Sequence, residues 1–151
     1  MKLLSVAVIL AALGPPDWLP PAPDVLLTQV DANGKELSDS FPAVCGLGVC
    51  RGALPVIFTD GSCLVSTWVH LPEYRREPGQ MLFAAAQCDG GPRLVPGAAI
   101  GRDEFHLDQR GAATLMTKVG PDADPWSDLI ARGEQIAYIR VDIIASTHAH
   151  R

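Results

Sequence analysis

Several stretches of the chain alternate apolar and polar residues with a period of two, the spacing of half-buried β-strands. The cleanest is 135–145, where Ala137, Ile139, Val141 and Ile143 alternate with Tyr138, Arg140 and Asp142. Residues 114–119 set Leu115, Thr117 and Val119 against Thr114, Met116 and Lys118. Residues 103–108 set Phe105 and Leu107 against Glu104, His106 and Asp108. Around Asp60-Gly61, two apolar runs read as a hairpin, because Asp-Gly suits a two-residue type I′ turn. That register opposes Phe58 to Cys63 and Val56 to Val65. Leu54, Val56 and Phe58 then share a face with Cys63, Val65, Thr67 and Val69. Ile57, Leu64, Ser66, Trp68 and His70 take the other, mixed face.

Further strands follow from turn residues. Val25–Val30 is an apolar run that Asn33-Gly34 turns back into a short polar strand, expected at a sheet edge. Met81–Gln87 is turned by Asp89-Gly90-Gly91-Pro92 into Arg93-Leu94-Val95. One short helix is predicted over Pro125–Arg132, with Asp124 as its cap, proline in its first turn and Gly133 at its exit. About seven to nine short strands broken by turn signals predict a mostly β protein, an antiparallel β-sandwich carrying that single helix.

The N-terminal region breaks this pattern. Residues 1–14 place Lys2 before an apolar run from Leu3 to Leu13, the layout of a secretory signal. That run is too short for a membrane-spanning helix of about 20 residues. Pro15 follows Ala12-Leu13-Gly14, so the segment is read either as cleaved nearby or as retained at a membrane. Residues 15–23 hold Pro15, Pro16, Pro20, Pro21 and Pro23, which favours an extended linker. A single β domain is expected over 24–146, with a polar tail at 147–151.

Composition narrows the function classes. The net charge of −5 and pI near 5.2 argue against a nucleic-acid-binding surface. Thirteen prolines and fourteen glycines suit many turns and few long helices. Arginine outnumbers lysine and Asn33 is the only asparagine, the codon bias of a GC-rich, bacterial genome.

The four cysteines are Cys45, Cys50, Cys63 and Cys88. An even count behind a secretory signal reads as a disulfide framework. Of the three possible pairings, Cys45–Cys50 with Cys63–Cys88 is expected. The first closes a short glycine-bearing loop, and the second ties the central hairpin to the strand ending near Asp89. Zinc is the rival reading, but Cys63 and Cys88 do not form a second close pair of ligands.

Glu104, His106 and Asp108 form the best candidate metal site, since alternation puts carboxylate and imidazole donors on one strand face. A solvated polar face is the simpler explanation of the same pattern. His70, Ser66 and Asp60 lack the context of a hydrolase, with no nucleophile elbow among them. Gly46-Leu47-Gly48 is too short for a dinucleotide loop, so no cofactor is expected.

The expected function is therefore that of an exported, non-catalytic β domain in the periplasm or outside the cell. Its partner would be a protein or envelope component and not nucleic acid. Membrane contact would come only through a retained N-terminal segment. The alternative is a small periplasmic metal-binding protein or enzyme using Glu104, His106 and Asp108.

Overall fold

The computed structural model describes residues 22–59, 61–74, 76–89, 99–120 and 136–145. Eight β-strands run through them: β1 Asp24–Val30, β2 Glu36–Gly46, β3 Val49–Phe58, β4 Gly61–His70, β5 Gly79–Asp89, β6 Ala99–Phe105, β7 Ala113–Val119 and β8 Ala137–Ile144. They form one antiparallel sheet in the order β6-β5-β4-β3-β2-β1-β8-β7. Consecutive strands from β1 to β6 pair with one another, and β8 pairs with both β7 and β1. The sheet curls until its two end strands meet, so the whole is nearly barrel-shaped. At that meeting Gly120 N–H donates to Ile100 O at 2.8 Å.

Strand alternation sorts the faces as the sequence implies. Ala137, Ile139, Val141 and Ile143 of β8 are buried, as are Leu54, Val56 and Phe58 of β3 and Cys63, Val65, Thr67 and Val69 of β4. With Val25, Leu27, Met81, Phe83 and Ile100 they fill the inside of the sheet.

The structure changes several expectations. The β3–β4 pairing is Phe58↔Gly61, Val56↔Cys63 and Leu54↔Val65, two residues away from the expected register. The face assignment survives because a shift of two keeps every side chain on its side. β3 also begins at Val49, not near Leu54, because Cys45–Cys50 is itself part of a hairpin. The turn of that hairpin is Leu47-Gly48, with φ of 54° and 80°, the two positive values of a type I′ turn.

The strand after Asn33-Gly34 is neither short nor at the edge. It is β2, eleven residues long, between β1 and β3. Its loop is not type I′ either. Gly34 N–H bonds Asp31 O and Asp31 N–H bonds Lys35 O, with Gly34 at φ 86°. This is a turn closed by a glycine bulge. The strand expected over 103–108 starts at Ala99 and stops at Phe105. The helix expected over Pro125–Arg132, the Arg93–Val95 strand, the secretory segment, most of the proline-rich linker and the tail lie outside the described residues. No helix occurs among the described residues.

Candidate functional site

Both expected disulfides are present. Cys45–Cys50 and Cys63–Cys88 each join residues directly opposite one another on neighbouring strands. Cys50 and Cys63 are buried on the inner face. Two disulfides point to an oxidising, non-cytoplasmic compartment.

Glu104, His106 and Asp108 are all exposed. Glu104 is the penultimate residue of β6, and the other two lie beyond the strand. No group of three or more His, Cys, Asp or Glu able to hold a metal occurs among the described residues. The Asp108 carboxylate is occupied by its own loop. Its Oδ1 accepts from Arg110 N–H at 2.8 Å and Ala112 N–H at 2.9 Å. The Ala112 amide, followed by the Arg110 amide and guanidinium, holds this carboxyl below the usual carboxylate range.

The Asp108 loop repeats the Asp31 loop. Asp31 Oδ1 accepts from Asn33 N–H and Lys35 N–H. Gly111 N–H bonds Asp108 O, Asp108 N–H bonds Ala112 O, and Gly111 has φ 83°. Both loops read Asp-x-x-Gly-x, with the carboxylate tying down the amides before and after the glycine.

His70 and Ser66 point outward from β4 and share no site. His70 is exposed opposite Val49 and Gln80, and Ser66 is opposite Ala53 and Ala84. Asp60 lies outside the described residues. Arg140 has an ordinary structural role. It bonds Asp142 at 2.9 Å and Glu36 at 3.4 Å, and the Asp142 hydrogen bond chiefly raises its pKa.

The outer face of β2–β5, at the end nearest the Leu47 turn, has a different character. Register places Val44, Arg51, Trp68 and Leu82 side by side across four strands. Val44 is 78% exposed and Arg51 is exposed, while Trp68 and Leu82 are half-buried. At the adjoining turn Leu47 is 104% exposed. Its left-handed backbone costs about 1–2 kcal/mol for a residue with a Cβ. The disulfide two residues before it and the Leu71 N–H to Gly48 O bond of 2.8 Å fix the base of this turn.

Sequence reasoning put Trp68 on the mixed face of the central hairpin but did not join it to Val44, Arg51 and Leu82, and it missed Leu47. The available signal was the symmetry of Cys-Gly-Leu-Gly-Val-Cys, which centres a two-residue turn on Leu47-Gly48. The chain matches no protein-family model, no curated protein and no solved structure.

Proposed function

We propose that this chain is an exported, non-catalytic β domain that binds a partner protein outside the cytoplasm, at the cell envelope or beyond. The observation that carries the reading is a large apolar side chain, Leu47, held fully in solvent on a disulfide-tied turn. A left-handed leucine adds nothing to the stability of the fold, whereas asparagine or glycine would sit there at lower cost. Strain kept at an exposed position is a mark of functional surfaces. The metal-binding alternative draws no support from the geometry, since Asp108 already serves its loop.

Export is tested by expressing the full chain in a bacterial host and trapping free thiols at lysis. All four cysteines should be blocked in the full chain, and free in a variant lacking residues 1–14. Free thiols in the full chain would overturn the export reading.

A further inference from the structure

We propose that Val44, Leu47, Arg51, Trp68 and Leu82 form a docking surface for a protein segment that carries a carboxylate among apolar side chains. This rests on the binding role proposed above and names its site and the chemistry of its partner. Two observations support it independently. The first is the strained, fully exposed Leu47. The second is Arg51, an exposed cation set between Val44 and Trp68 by the strand register. The Arg51 guanidinium has no ion pair or hydrogen bond among the described residues. A tryptophan and an arginine side by side, with aliphatic neighbours, is the composition of interface hot spots. A guanidinium with no partner among the described residues, in such a patch, calls for a carboxylate, which it can hold with two hydrogen bonds.

Other occupants fit less well. Inserting one leucine into a bilayer yields about 1.5–3 kcal/mol, and stable membrane attachment takes a second signal. A two-fold contact between copies would set the patch against itself, with two arginines and no carboxylate among the five residues.

The test is selection of a random-peptide library on the oxidised full chain, followed by titration of the enriched peptides. Enriched sequences should place Asp or Glu beside Leu, Ile or Phe. Arg51→Glu and Leu47→Asn should each weaken binding by about tenfold or more. Leu47→Asn keeps a residue that tolerates the left-handed turn, so its melting temperature should hold or rise while binding falls. Basic peptides, or peptides that bind both variants as well as the parent, overturn the assignment. So does Leu47-dependent sedimentation with phosphatidylcholine or phosphatidylserine vesicles, or a dimer that Leu47→Asn dissolves. Peptides that bind instead through Ile57 and Leu64 overturn this site but leave the binding role standing. No enrichment at all overturns both.

Discussion

The sheet comes apart in two places, and each is closed by different chemistry. Between β2 and β3 the ladder holds for three residue pairs, Val44↔Arg51, Cys45↔Cys50 and Gly46↔Val49, and then stops. Between β6 and β7 no ladder forms among the described residues, and they are joined there by a backbone bond from Gly120, just past β7, to Ile100 and a side-chain bond from Thr117 Oγ1 to Asp103 Oδ2 at 2.9 Å. The first seam is spanned by reach. Gln29 of β1, buried to 3% exposure, donates through Nε2 to Ile57 O at 2.8 Å and accepts through Oε1 from Ile57 N–H at 2.9 Å. Its amide stands in for the missing strand. Because Ile57 turns both backbone groups to this seam, alternation turns Pro55 the same way, and its missing N–H costs no ladder bond. The second seam is closed by approach. A Cβ on Gly101 would lie 2.8 Å from Val119 Cγ1 and 2.9 Å from Lys118 O, so only glycine lets β6 come this near β7. Both seams use a glycine at the close approach, since a Cβ on Gly52 of β3 would lie 3.1 Å from Ala43 Cβ of β2, but only the first adds a covalent tie and a long polar side chain where its strands part.

The first seam is most vulnerable at Gln29. Gln29→Ala leaves Ile57 N–H and O without their partner and opens a void, for a loss of about 3 kcal/mol. Urea denaturation should show it, and hydrogen exchange should show Ile57 losing protection first. A loss below half that figure would mean the amide is not what holds the seam. Next is the covalent tie. The Cys45→Ala/Cys50→Ala double variant frees a loop with a sequence separation of 5, for which chain entropy gives about 2 kcal/mol. Removing Cys63–Cys88, with a separation of 25, should cost about 3.5 kcal/mol on the same account, yet leave the β2–β3 seam protected. At the second seam, Gly101→Ala inserts a methyl against Val119 Cγ1 and the Lys118 carbonyl, within the ~1–3 kcal/mol range for overpacking. Its exchange signature should appear at Gly120 and spare Ile57. If either variant loosens both seams equally, they are one cooperative unit and the contrast is false.

What the sequence reveals follows the same division. The faces of β3, β4, β7 and β8 are legible because alternation depends only on neighbouring residues. The β3–β4 register is not, because the expected pairing Phe58↔Cys63 and the observed Phe58↔Gly61 differ by two and predict identical faces. Cysteine counting reaches both disulfides because the pairs stand close to turns. Gln29 is invisible, since its partner is 28 residues away and a lone glutamine in Val-Leu-Leu-Thr-Gln-Val carries no sign of it. Asp108 is misleading for a different reason. Strand alternation through 103–108 places it with Glu104 and His106, whereas the three-residue spacing to Gly111, shared by Asp31 and Gly34, marks it as the start of a turn.

That turn supplies the smallest expected effect, because Asp108 sits in the loop that delivers β7 to the second seam. Its carboxyl is held below the ordinary range in the folded chain, chiefly by the Ala112 amide. A group whose pKa is lowered by folding stabilises the fold above its unfolded value, and that stabilisation is lost as pH falls through the folded value. Asp108→Ala should therefore melt below the parent at neutral pH, and the gap should narrow on acidification past the ordinary aspartate range. A gap that stays constant with pH would mean that Asp108 acts in the loop by shape and not as an anion. Glu104→Ala supplies the control. Its residue bonds no loop amide through its side chain among the described residues, so this change should leave the melting temperature at neutral pH close to that of the parent. The pair of variants thus separates a carboxylate that builds the loop from one that only borders it.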